Sequence, residues 1–221
     1  PLFVAPLTYL AIAGDRSRGT ITYLLGLPNT RSEYFVAKYV SRATVAVAAV
    51  VLGTALGFVV AATTFTNGAD PARFLTFGAV SGLYALAITG LFLAISATTA
   101  ERSRAMFGVI AAYFLFVPFW FGFLPFVSLA TVLDAVSSVP GLSLSKAIRD
   151  VIGALSPTTA YFQSTEFVYA GVMDQYPEFS QFDSGASPLA HNPVFTTLVL
   201  VGWAIVAPLV GYLRFRTAEL G

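Results

Sequence analysis

The sequence predicts an all-α integral membrane protein, a polytopic helical bundle, and three observations carry that expectation. Of 221 residues, 57% are hydrophobic and only 10% charged, whereas soluble domains run at about 45–50% apolar and about 25% charged. Mean hydropathy is +0.78. Four stretches contain no charged residue, 43–65, 74–98, 106–128 and 194–213, and at about 1.5 Å per residue each reaches across a hydrocarbon core of about 30 Å. The whole chain, 1–221, reads as one transmembrane domain.

The chain opens on an apolar run over residues 2–13. It has no basic region ahead of it, so it does not read as a signal peptide. It is read as the truncated tail of a membrane helix whose start precedes Pro1. Residues 14–42 follow as a polar and amphipathic segment. Gly14-Asp15-Arg16-Ser17-Arg18 is polar, and Ile21, Leu24 and Leu25 then recur at helical spacing before Gly26 and Pro28. A short helix there would present one apolar face outside the bilayer. Thr30-Arg31-Ser32-Glu33 is a capping box. It starts a helix that carries Tyr34, Phe35, Lys38, Tyr39 and Arg42 toward the span at Ala43, with aromatic and basic groups suited to the headgroup layer.

The remaining spans carry their own punctuation. Asn67-Gly68 makes a turn, and Asp70-Pro71 and Asn192-Pro193 each set a capping side chain before a proline suited to the first helical position. Pro118, Pro125 and Pro208 fall inside spans, where proline is tolerated as a kink. Gly53-x-x-x-Gly57 and Gly78-x-x-x-Gly82 allow close helix approach. Residues 129–193 form a long connection. A helix is expected on the stripe Leu144, Ile148, Val151, Ile152 and Leu155, followed by an acidic stretch at Glu166, Asp174, Glu178 and Asp183.

Charge fixes the orientation. With alternating loops, one side holds Arg16, Arg18, Arg31, Lys38, Arg42, Arg102, Arg104, Arg214 and Arg216, and the other only Arg73, Lys146 and Arg149. The positive-inside rule makes 14–42, 99–105 and 214–221 cytoplasmic. The expected location is the plasma membrane, multi-pass, with lipid as surrounding partner.

Composition also narrows function. Twelve Lys and Arg against 11 Asp and Glu give no basic footprint for nucleic acid. No cysteine is present, so thiolate metal sites and thiol catalysis are excluded. No charge interrupts the four spans, which disfavours ion-coupled transport, and neither Lys38 nor Lys146 sits in a phosphate-binding loop. The single histidine, His191, reads as a surface residue. No catalytic or metal site is expected, and no cofactor in this chain.

Asp15-Arg16-Ser17-Arg18-Gly19-Thr20-Ile21, then Leu24-Leu25-Gly26-Leu27-Pro28-Asn29-Thr30-Arg31 and Lys38, resembles the region after the second transmembrane helix in permease subunits of ATP-binding cassette exporters of the six-span type V fold, the ABC type-2 permease family. Ser17 stands where an acid is usual there, and Ala37 where glycine is usual. The resemblance implies that the first span precedes this chain and that residues 2–13 end the second. It implies a coupling helix around Gly19 to Leu25 docked in a groove of a separate ABC ATPase subunit, which would hold ATP and Mg. Asp15, Arg16, Arg18, Gly19, Thr20, Ile21, Leu24, Leu25, Pro28 and Arg31 would form this site, and a second permease subunit, identical or not, would complete a dimer. The amphipathic stripe at 144–155, together with a helix over Leu129 to Val139, would match the family's re-entrant or interfacial helices between its fifth and sixth spans. The alternative from another class is a non-transporting membrane anchor or assembly factor that holds a soluble partner through the same helix.

Overall fold

The structure, a computed structural model, describes residues 2–66, 69–122, 127–139, 143–169 and 188–218. Every regular element among them is helical. In order they are α1 (Val4–Thr8), α2 (Ala13–Ser17), α3 (Thr20–Gly26), α4 (Arg31–Thr64), α5 (Pro71–Ala97), α6 (Arg102–Phe114) continued by a π-turn (Leu115–Phe119), α7 (Leu129–Ser137), α8 (Lys146–Ala154), α9 (Pro157–Ser164), α10 (Glu166–Tyr169) and α11 (Pro193–Arg216). Four are long and apolar enough to cross a bilayer: α4, α5, α6 with its π-turn, and α11.

Their starts lie where the side chains dictate. The Thr30 N–H donates to Glu33 Oε2 at 2.7 Å and the Glu33 N–H to Thr30 Oγ1 at 3.2 Å, the reciprocal capping box that opens α4. Asp70 Oδ1 accepts from the Ala72 N–H at 2.9 Å, and Asn192 Oδ1 from Val194 at 2.9 Å and Phe195 at 3.3 Å. Each cap precedes a proline whose missing N–H costs nothing at a first helical position. At 34 residues, α4 is about 51 Å long, so its polar first turns lengthen the expected span without a break.

Three elements depart from the sequence reading. Over residues 2–13 the chain is not one helix: α1 ends at Thr8 and α2 begins at Ala13. The cause is Ser96 of α5, whose hydroxyl donates to the Tyr9 carbonyl at 2.8 Å and accepts from the Ala13 N–H at 3.1 Å and the Ile12 N–H at 3.2 Å. A side chain is thus inserted into the bond that would close the helix from residue 13 to residue 9, a recognised cause of helix breaks. The third span starts earlier and ends sooner than 106–128. It runs from Arg102 to Phe119 and then turns at Gly122, in the left-handed region at φ +73. Pro118 lies in the π-turn, where its absent N–H removes a ladder bond. Leu144 precedes α8, whose cap is Ser145.

The chain forms two compact units. The first comprises Pro1–Val50, Gly82–Phe114 and Val201–Gly221. Its core gathers Ala11, Ile12, Ile21, Tyr34, Phe35, Leu93, Ala97 and Phe215, with a second cluster at Ile88, Phe92 and Val109. Here α5 and α11 approach closely at glycines. A Cβ on Gly90 would stand 2.7 Å from Pro208 Cδ, and one on Gly211 2.6 Å from Ala94 Cα. The glycine pairs picked out by their spacing behave otherwise. Among the described residues, Gly53 and Gly82 face open space, Gly57 makes an ordinary contact to Phe74, and only Gly78, 3.3 Å from Thr54, is tight.

The second unit comprises Val51–Ser81 and Leu115–Leu200. It is knit by polar links between its elements. The Trp120 indole N–H donates to the Gly153 carbonyl at 2.7 Å, the Ser156 hydroxyl to the Phe116 carbonyl at 3.3 Å, and the Ser164 hydroxyl meets Thr196 at 3.0 Å and Thr197 at 3.1 Å. Arg149 pairs with Asp134 and so joins α8 to α7. All nine basic residues assigned above to the cytoplasmic side fall in the first unit, and Arg73, Lys146 and Arg149 in the second.

Candidate functional site

The segment from α2 to the start of α4 is built around one left-handed glycine. Gly19 has φ +70, and a Cβ added there would meet nothing within 4 Å among the described residues; backbone conformation, not space, selects glycine. It reverses the chain after α2. The Thr22 N–H and hydroxyl both return to the Gly19 carbonyl, at 3.2 Å and 2.6 Å. The Thr20 hydroxyl reaches the Asp15 carbonyl at 3.4 Å.

α3 has two faces. Ile21 is 1% exposed within the first unit's core, and Leu25 packs against the same cluster. On the opposite face Tyr23 is 81% exposed; Leu27, just past the helix, is 56% exposed, and Leu24, at the flank of the buried face, 37%. The single apolar face expected from Ile21, Leu24 and Leu25 is therefore split. Ile21 and Leu25 anchor the helix to its own unit, while Leu24, with Tyr23 and Leu27, is presented outward. Tyr23 and Leu27 escape the sequence reading. Their signal lay in the i, i+4 spacing that sets Tyr23 beside Leu27 and separates both from Ile21 and Leu25. Pro28 is exposed and follows the end of α3.

The charged residues around α3 are tied to helix ends. Arg16 donates to the Ala97 carbonyl at the end of α5, at 3.3 Å, and Arg18 to the Gly14 carbonyl at 3.1 Å. Arg31 donates to the carbonyls of Arg216 at 2.7 Å and Ala218 at 2.9 Å, with Phe215 at 3.4 Å. A guanidinium there satisfies orphan carbonyls and complements the negative end of α11. Arg102 donates to the Ser17 hydroxyl at 2.9 Å, so a neutral side chain at position 17 still holds a polar tie to α6.

Asp15 is the centre of the network. Its Oδ2 lies 2.7 Å from Lys38 Nζ and accepts from the Tyr34 hydroxyl at 2.6 Å, and Lys38 sits 5.4 Å from the Tyr34 ring centroid. Burial pushes the Asp15 carboxyl up, but hydrogen bonds from Lys38 and Tyr34 and the charges of Lys38 and Arg18 outweigh it and hold it below its ordinary value. A carboxyl depressed on folding stabilises the fold above its unfolded value of about 3.9, and that contribution is lost as pH falls through the lowered folded value. The difference in melting temperature between the wild type and Asp15→Asn should accordingly be constant near neutrality and shrink only below about pH 4. A difference that vanished at pH 6 would show that the tie is not carried by the ionised carboxylate.

In the second unit, Val151 and Ile152 of the expected amphipathic stripe are half-buried, whereas Ile148 and Leu155 are exposed. Ala154 is the residue of α8 that is fully covered. His191 is half-buried and stands 3.9 Å from Glu166, not free on the surface. Of the acidic stretch only Glu166 is described; Asp174, Glu178 and Asp183 lie outside the described residues, as do Asn67, Gly68 and Pro125.

Compared with known protein families, residues 1–220 match the family described as ABC-2 family transporter protein. No curated protein matches the chain.

Proposed function

The chain belongs to the ABC-2 transporter family, and on that premise we propose that this permease is the membrane subunit of an ATP-driven exporter, worked by a separate ABC ATPase through α3. The observation that carries the reading is the division of labour on α3. Ile21 and Leu25 are fixed in the core, Asp15 is bonded to Lys38 and Tyr34 of α4, and Tyr23, Leu24 and Leu27 are left outward. A helix that receives force needs both halves of that arrangement: an exposed apolar face for a partner groove and a rigid attachment to the spans.

On this reading residues 14–42, 99–105 and 214–221, with their nine basic residues, face the cytoplasm at the plasma membrane. ATP and Mg bind the partner, and the chain contributes no catalytic group. ATP works only if the closed and open ATPase dimers bind α3 with different affinity or at different separation, since a partner indifferent to the two states shifts neither. A six-span subunit paired with a second permease, identical or not, completes the assembly.

The deciding experiment is reconstitution of both subunits in vesicles. ATP-dependent movement of a substrate out of the ATPase-containing compartment is the expected result, and ATPase binding without ATP-dependent flux would favour the anchor reading instead.

A further inference from the structure

Pro208 lies inside α11, a helix of 24 residues. Proline has no N–H, so the carbonyl four residues earlier, that of Ala204, has no donor at its rung of the ladder, and the proline ring presses on the same carbonyl. In a membrane span such a freed group has to be met from elsewhere. Here the donor comes from another helix of the first unit: the Tyr39 hydroxyl of α4 donates to the Ala204 carbonyl at 3.3 Å. The same hydroxyl lies 3.4 Å from the Leu86 carbonyl of α5. The two acceptors are not equivalent. Leu86 is inside α5, where Gly90 keeps its N–H, so the Leu86 carbonyl has a ladder donor and offers Tyr39 only its second lone pair. One hydroxyl proton therefore serves two carbonyls, and only that of Ala204 depends on it.

Packing around Pro208 is tight on one side and open on the other. Toward α5, the contacts at Gly90 and Gly211 hold α11 from Pro208 onward. Toward α4, a cavity of about 190 Å³ lies along the seam, lined in part by Ser32, Phe35, Val36, Tyr39, Pro208 and Leu209. Tyr39 thus stands at the edge of free space, and its hydroxyl can pass from Ala204 to Leu86 without disturbing the contact between α5 and α11.

We propose that Tyr39 is the latch of a proline joint in α11. Its hydroxyl replaces the N–H missing at Pro208, and when α4 shifts, passage of that hydrogen bond wholly to Leu86 frees the Ala204 carbonyl and lets the part of α11 before Pro208 bend. The joint gives α4, the helix that follows α3, control over the bend of α11. It belongs to the permease alone and holds whether or not α3 receives an ATPase.

The test is a double-mutant cycle on the full chain. Tyr39→Phe keeps the ring and removes only the donor, and Pro208→Ala returns an N–H to the Ala204 carbonyl. In mixed micelles titrated with dodecyl sulfate, Tyr39→Phe should raise the unfolding constant about fivefold, and in the Pro208→Ala background that factor should fall below about twofold. Loss of ring packing or of the bond to Leu86 alone would give the same factor in both backgrounds. Amide exchange in phosphatidylcholine nanodiscs reads the bend: α11 residues on either side of Pro208 should exchange about fivefold faster in Tyr39→Phe and return to the parent rate when Pro208→Ala is added. If Tyr39→Phe alone does not fold, recovery of folded protein on adding Pro208→Ala supports the latch and failure to recover it overturns it; Pro208→Ser, which also restores the N–H, serves where Pro208→Ala itself does not fold. Equal factors in the two backgrounds, or exchange across α11 that Tyr39→Phe leaves unchanged, overturn the proposal.

Discussion

Replacing Leu24 by Asp should reduce recovery of the ABC ATPase with the purified permease at least tenfold, with the permease's own melting temperature unchanged. Leu24 is on the outward face of α3, so in the free permease the new carboxylate stays in water at little cost. In a docked complex it would have to be desolvated against an apolar groove without a partner, which costs several kcal/mol, and each 1.4 kcal/mol is about tenfold in affinity. Ile21→Asp gives the contrast. It sets a charge in the core beside Phe35 and Phe215 and should lower the melting temperature of the permease before any partner is added. Undiminished recovery of the ATPase with Leu24→Asp would remove α3 as the docking element.

The second large effect is expected at Ser96. Its side chain is wholly buried and serves three backbone groups, the Tyr9 carbonyl and the Ile12 and Ala13 N–H groups. Ser96→Ala leaves those groups unpaired in a dry core, and at about 1–3 kcal/mol for an unsatisfied group the net loss should be about 2–4 kcal/mol after relaxation. Amide exchange at Ile12 and Ala13 should accelerate by at least tenfold, whereas Ser96→Thr, which keeps the hydroxyl, should retain much of the protection. Unchanged exchange in Ser96→Ala would show that the chain closes its own ladder from residue 13 to residue 9 and that Ser96 does not hold the break.

These two residues mark the boundary of what the sequence discloses. The ends of α4, α5 and α11 are local chemistry: Thr30 with Glu33, Asp70 before Pro71, and Asn192 before Pro193 each make their bonds within three residues, and hydropathy supplies the span between. Ser96 is different in kind. In Ile95-Ser96-Ala97 it looks like any small residue of a membrane helix, and its role emerges only when α5 is laid beside residues 9–13. The arginines are similar, since Arg31 finds its carbonyls 184 to 187 residues away. The split of α3 was written in the periodicity, but which of two apolar edges turns inward is decided by tertiary neighbours. Glycine spacing located only Gly78 for the same reason: the tightest contacts are at Gly90, Gly108 and Gly211, whose partners Pro208, Ile95 and Ala94 lie on other helices.

The contacts at Gly90 and Gly211 also have a mechanical meaning. Two points define a line, and at both of them helix backbones or rings meet with no room for a methyl group. Sliding α5 along α11 there would drive Pro208 or Ala94 into the neighbouring ridge, so within the first unit the two helices are held as one plate. Arg16 and Arg31 fasten the edge of that plate to the segments on either side of α3. On the proposed coupling role, a displacement applied to α3 would be delivered to two helices together, without the slack that a looser seam would absorb.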